Sequence, residues 1–157
     1  MDGADRQQGG SVLPFDDRVT EVVREILAVL PAGATWLVPV RDDGGAIVDF
    51  RIAATSGQVH DIYRRGVSRI GARLSELYPS MVGGPLWTLY REVMGSGVPG
   101  VLPEFRYREQ QAGVVASSVF EVSVYRILGG LLVWWQRLDE DRRRMEKTEL
   151  LGSLGWA

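Results

Sequence analysis

Near the start of the chain, apolar residues recur with a helical period. Val19, Val22, Val23, Ile26, Leu27 and Leu30 stand three and four apart, which puts them along one side of a helix. Asp16 and Asp17 offer an N-cap, and Pro31 with Gly33 a stop, so the pattern predicts a helix over 16–31. The residues before it, 1–15, are Gly, Gln, Asp and Ser with little to bury, and read as a flexible leader. The period then shortens to two. Residues 34–41 carry Trp36, Leu37, Val38 and Val40, and the turn Asp42-Asp43-Gly44-Gly45 follows. Over 46–53, Val48, Phe50 and Ile52 alternate with Ile47, Asp49 and Arg51. Two such runs around a Gly-containing loop predict a β-hairpin. Pro39 has no N–H to donate, so a bulge or an edge is expected there.

Beyond the hairpin the pattern fragments. Ile62, Tyr63, Val67, Ile70, Leu74 and Leu77 are irregularly spaced, broken by Gly57, Gly66 and Gly71 and closed by Pro79, which predicts short helices. A longer helix is predicted over 84–94, with Leu86, Trp87, Tyr90 and Val93 on one face and Gly95, Gly97 and Pro99 ending it. Strand patterns return at 101–108, 114–126 and 130–137, joined by connections of hairpin length. Two strands, short helices and three more strands describe an α+β domain built on one five-stranded antiparallel sheet. From Leu138 the chain turns polar. Asp139 with Arg143, and Glu140 with Arg144, are acid-before-base pairs four apart, predicting a solvated helix over 138–154. Its apolar positions, Leu138, Met145, Leu150 and Leu151, are sparse, so it would gain from a partner.

Composition narrows the chemistry. A chain of 157 residues is one domain long, and a net charge of −2 gives no reason to expect nucleic acid or an anionic membrane as partner. No window approaches the roughly 18 apolar residues of a membrane span, and no apolar signal core stands at the start. A cytoplasmic location is the expectation. Cysteine is absent, which removes disulfides, thiolate metal sites and cysteine nucleophiles. His60 is the single histidine, closing off sites built on several imidazoles, and no metal site is predicted. Asp49 and Glu121 sit inside strand patterns, where a buried pair could serve acid–base chemistry as in a small α+β isomerase. Both alternate with apolar neighbours, which puts them on the solvent side. The Gly-rich strings GGPLW and GSGVPG lack the Lys-Ser/Thr of a phosphate loop, and Arg64-Arg65 and Arg142–Arg144 read as solvated faces. No catalytic residue is predicted.

Several strings, in order, resemble the PAS family over residues 34–144. VDFRIAA (Val48–Ala54) is similar to the family's second strand, and IGARLSELYPSMVGG (Ile70–Gly84) to its Gly, Leu-x-Glu-Leu and Pro phrase. REVMGSGVP (Arg91–Pro99) resembles the end of the long helix, and FEVSVYRILGGLLVWWQRLDEDRRR (Phe120–Arg144) the last hairpin and its exit helix. The exit departs from the common pattern: Arg137-Leu138-Asp139-Glu140 stands where many members have Asp-Ile/Val-Thr before Glu.

The resemblance implies a PAS fold over 34–137, short helices on one face, flanking N- and C-terminal helices, and the first strand beside the last. It implies a regulatory module of a bacterial signalling protein that binds a small ligand or dimerises. Its output would be a separate domain: a phosphatase, a histidine kinase or a cyclic-dinucleotide enzyme. LGSLGWA (Leu151–Ala157) resembles the opening of a second such domain, so the chain is expected to be the front of a longer protein. Without cysteine, a cysteinyl-flavin adduct and a thioester-linked chromophore are excluded. Haem is disfavoured, because His60 follows the second strand and is not on the long helix. No cofactor is predicted, while non-covalent flavin stays open because Trp87, Tyr90 and Tyr63 could line a slot. The candidate pocket residues are Phe50, Ile52, Tyr63, Trp87, Tyr90, Phe105, Phe120 and Val122, which serve equally as plain core. The candidate homodimer interface is Val19, Val23, Ile26, Leu27 and Leu30, a stripe able to face either its own sheet or a second chain. Two alternatives are a ligand-free dimerising spacer and a small isomerase.

Overall fold

The computed structural model describes residues 17–57, 67–111 and 113–138. A helix, α1 (Asp17–Val29), precedes the hairpin of β1 (Gly33–Arg41) and β2 (Ile47–Thr55). Asp42 closes the turn between them: its Oδ1 accepts the backbone N–H of Gly44 at 2.9 Å and of Ala46 at 2.9 Å. This is the local bonding that makes Asp a turn former. A 3₁₀ turn (Val67–Arg69), α2 (Leu74–Leu77), a second 3₁₀ turn (Pro79–Met81) and α3 (Pro85–Ser96) lead to β3 (Gly100–Gln111), β4 (Val114–Ile127) and β5 (Gly130–Arg137). Helix α3 ends on Gly97 in the left-handed region at φ 76°, donating its N–H to Val93, a conformation glycine adopts without a Cβ penalty.

The five strands form one sheet in the order β2-β1-β5-β4-β3, with every neighbouring pair antiparallel. The first strand lies beside the last, and the architecture is compatible with a PAS-like fold. The predicted strands and the long helix all form, with ends displaced by a few residues.

Each face of the sheet buries a different cluster. On the inner face, Leu37, Phe50, Ile52, Phe120, Val122, Leu131 and Trp135 pack under α2 and α3, which add Leu74, Leu86, Trp87, Tyr90 and Val93. On the outer face, Val23 and Leu27 of α1 pack on Ala34, Trp36, Ala53 and Ala54. The three alanines leave room for the helix against the strands. The predicted exit helix beyond Leu138 lies outside the described residues, as does the leader. Among the described residues no helix is long and apolar enough to cross a membrane.

Pro39 sits where its missing N–H costs nothing. It pairs with Phe50 of β2, but the ladder between β1 and β5 stops at Leu37 and Leu131. Two register shifts in the β1–β2 pair reset the alternation of β2. Ile47 consequently packs against the inner cluster while Val48 is exposed. The expectation that Asp49 faces solvent is corrected here: it is 4% exposed, held by Ser75 and its neighbour's backbone. Glu121 is exposed, as its alternation implies.

Candidate functional site

Between the inner face and the helical layer lies a cavity of about 90 Å³. The sheet contributes Leu37, Ile52, Phe105, Tyr107, Phe120, Val122, Val133 and Trp135 to its wall, together with Thr35. These are inward positions of strands whose period is two, which is why Phe105 and Tyr107, Phe120 and Val122, and Val133 and Trp135 come in pairs. The helical side contributes Arg69, Leu74, Tyr78, Met81, Leu86 and Tyr90. Leu86 and Tyr90, four apart, share the inward face of α3.

One end of the cavity is polar. Arg69 is only 4% exposed. Among the described residues, its Nη2 donates to Thr55 Oγ1 at 2.7 Å and its Nη1 to Tyr78 Oη at 3.2 Å. Thr55 Oγ1 also lies 3.0 Å from Thr35 Oγ1 and 3.2 Å from the carbonyl oxygen of Ala34. A buried guanidinium requires such partners, since an interior charge without hydrogen bonds is costly. Tyr90 lies within reach of the same charge. Burial, reinforced by neighbouring Tyr78 and partly opposed by Arg69, raises its pKa far above the usual tyrosine value. Its phenol therefore stays protonated and able to donate throughout the physiological range.

Two buried carboxylates hold the helical wall in place. Glu109 of β3 is 1% exposed and accepts the backbone N–H of Ser80 at 3.0 Å, the Ser80 hydroxyl at 2.9 Å and the Tyr107 hydroxyl. It ties the Pro79–Met81 turn, and hence Tyr78 and Met81, to the sheet. Asp49 of β2 accepts the Ser75 hydroxyl and, at 3.3 Å, its backbone N–H. That contact fixes the start of α2 and places Leu74 in the wall. Both carboxylates stand outside the cavity lining, and the described residues hold no cluster of three or more metal-ligating groups.

Of the candidate pocket residues, Ile52, Tyr90, Phe105, Phe120 and Val122 line the cavity. Phe50 and Trp87 do not. They meet edge to face with ring centroids 5.7 Å apart, and Phe50 meets Tyr90 at 5.7 Å, filling the space beside it. Tyr63 and His60 lie outside the described residues. The lining residues that sequence reasoning missed include Arg69, Tyr78, Tyr107 and Trp135. The strand alternation that picked out Phe105 extends to Tyr107, so that signal was present. Arg69 lies in the stretch with no regular period, and nothing there marked it.

The candidate interface residues divide by face. Val23 and Leu27 are buried against the chain's own sheet, with Val19 and Leu30 half-buried beside them. Ile26 is 54% exposed, and with Val22 and Val29 it forms a second apolar stripe on the outward side of α1. On the outer sheet face, Trp134 and Tyr125 are each 40% exposed. Comparison of the sequence with protein-family models finds no match, and comparison with curated proteins finds none either.

Proposed function

We propose that this domain is a cytoplasmic sensory module of PAS type, in which a small organic molecule occupies the inner cavity and its occupancy is relayed to another domain. The observation that carries this reading is the cavity itself: apolar on most sides, polar at one end, and walled by short helices tied to the sheet through single buried carboxylates. Ligand sites are commonly apolar concavities with a few placed polar groups. The sheet order and the strings resembling PAS domains support the same family. The volume argues for a small ligand over flavin: an engineered cavity of about 150 Å³ takes a molecule the size of benzene, and this one is about 90 Å³.

Assembly as a homodimer belongs to the same proposal. The outward stripe of Val22, Ile26 and Val29 supports it, because apolar residues at that spacing on an exposed helix face suit a second helix. Replacing Ile26 with Asp then gives a monomer by light scattering with an unchanged circular dichroism spectrum. A wild-type monomer at high concentration refutes the dimer.

The ligand reading is tested by thermal shift with a panel of small metabolites, backed by amide NMR. A true ligand raises the melting temperature in proportion to the logarithm of its concentration, through preferential binding to the folded state. It also moves the resonances of Ile52, Val122 and Val133. A panel that shifts neither identifies the domain as a ligand-free dimerising spacer.

A further inference from the structure

We propose that the edge of β3 takes up an extended acidic peptide of a partner protein, which joins the sheet as a further strand along Phe105–Arg108. This holds whether or not the inner cavity contains a ligand. Three observations carry it.

The first is the edge. β3 ends the sheet, and among the described residues it pairs with β4 alone. The opposite edge is already covered by the chain itself: Gly71 donates its N–H to the Ile52 carbonyl at 2.8 Å, and Ile52 donates to that of Ala72 at 3.0 Å. The first half of β3 is guarded by Pro103 and by the register shift between Leu102 and Phe105, devices that discourage strand addition. From Phe105 to Gln111 the ladder to β4 runs without a shift. A regular edge of this kind is a template for an extended peptide, whose main chain continues the ladder.

The second is a groove of about 190 Å³ along that stretch. Phe105, Arg106, Tyr107 and Arg108 all line it. Successive strand residues point to opposite faces, so a groove that touches four in a row runs beside the strand and not over either face. Its other wall is Ser80, Met81 and the start of α3. Glu109 accepts the backbone N–H and the hydroxyl of Ser80 at 3.0 Å and 2.9 Å, so strand and turn are tied together before anything binds. Such preorganisation lowers the cost of binding.

The third is charge. Arg106 and Arg108 are both exposed and stand two apart on one side of the strand. Across the ladder on β4 they meet Val119 and Ser117, both uncharged. The exposed carboxylate of β3, Glu104, lies at the shifted end. An added strand with acids at alternate positions sets a carboxylate opposite each arginine, and the residues between them turn toward Met81 and Leu86. A second copy of this chain fits worse. Symmetric antiparallel registers centred on 106, 107 or 108 put arginine opposite arginine, and one centred on 105 draws in Pro103.

The test is a titration of the whole chain, followed by amide NMR, with the peptide acetyl-Val-Glu-Val-Glu-Val-amide up to millimolar concentration. The same peptide with lysine in place of glutamate is the charge-reversed probe. Two further peptides are N-methylated, one at its valines and one at its glutamates, because only one of these sets of N–H groups faces β3 in an added strand. The acidic peptide should shift the amide resonances of Phe105–Arg108 and slow their hydrogen exchange, and the lysine peptide should bind at least about tenfold more weakly. One N-methylated peptide should bind as the parent does, and the other should fail. Arg106→Glu combined with Arg108→Glu should reverse the charge preference. Both side chains are exposed, so the circular dichroism spectrum stays unchanged.

Equal binding of the acidic and lysine peptides, or binding of neither, would overturn the inference. So would equal binding of the two N-methylated peptides, which would make the arginines a general anion surface. A dimer in light scattering that the double arginine variant dissociates would assign the edge to a second copy, and would overturn it as well.

Discussion

Shortening Leu27 to alanine tests how α1 is used. Leu27 is 4% exposed and sits against Val23, Ala34, Trp36, Ala53 and Ala54. The substitution removes three carbons, at about 0.8 kcal/mol for each buried methylene. Apart from Val23 on the same helix, the partners belong to the paired strands β1 and β2, whose backbone cannot close over the gap, so a cavity term adds to the transfer term. The expected loss is about 2–4 kcal/mol. Ile26, one residue earlier and 54% exposed, gives the control. Ile26→Ala loses little burial and gains helix propensity, so its effect stays within about 0.5 kcal/mol at concentrations where the chain is monomeric. Both variants are measured by equilibrium urea unfolding, followed by circular dichroism and tryptophan fluorescence, with the denaturant slope required to match wild type. Equal effects at the two positions, or a loss below about 1 kcal/mol at Leu27, would refute the docking of α1 on its own sheet.

The other expectations rest on close contacts in the sheet and on the buried polar groups. A Cβ added at Gly130 would stand 2.4 Å from the carbonyl oxygen of Leu37 and 3.0 Å from Trp36 Nε1, so Gly130→Ala must displace β5 from β1. It should cost about 3 kcal/mol, read as a lowered unfolding midpoint. Glu109→Ala leaves Ser80 and Tyr107 without their acceptor and should cost about 2–4 kcal/mol, with Glu109→Gln recovering part of it. The alanine variant should also speed amide exchange around Pro79–Met81. Tyr90 holds its proton more tightly when folded than when unfolded. Its contribution is therefore complete below about pH 10, the unfolded value, and is lost as the unfolded chain begins to release that proton. Alkaline unfolding should steepen above about pH 10, and Tyr90→Phe should flatten it; identical alkaline curves for the two proteins would contradict the shift.

The elements of this domain were legible in the chain because they follow from local periods. The intervals of three and four in α1 and α3, the alternation in β2, β3 and β4, and the Asp-Gly turn at 42–45 are each short-range facts. The five-stranded sheet follows from their order. The site was legible only in part. Alternation identified Ile52, Phe105, Phe120 and Val122 as inward, and helical spacing identified Tyr90. Phe50 and Trp87 carry the same pattern but fill space, since whether an inward aromatic borders a void depends on what packs opposite it. Asp49 carried the pattern of a solvent-facing residue and is buried, because a register shift and the Ser75 contact set its surroundings. Arg69 had no pattern at all. Its position in the wall is decided by β2 and the 3₁₀ turns packing around it, bringing Thr55 and Tyr78 to its guanidinium. On α1 the sequence shows one broad apolar stripe from Val19 to Leu30, with Val29 at its edge. Only the docked sheet decides that Val23 and Leu27 turn inward and Ile26 outward, because the two sides of one stripe differ in energy only when a particular surface, here the alanines of β1 and β2, is present to bury one of them.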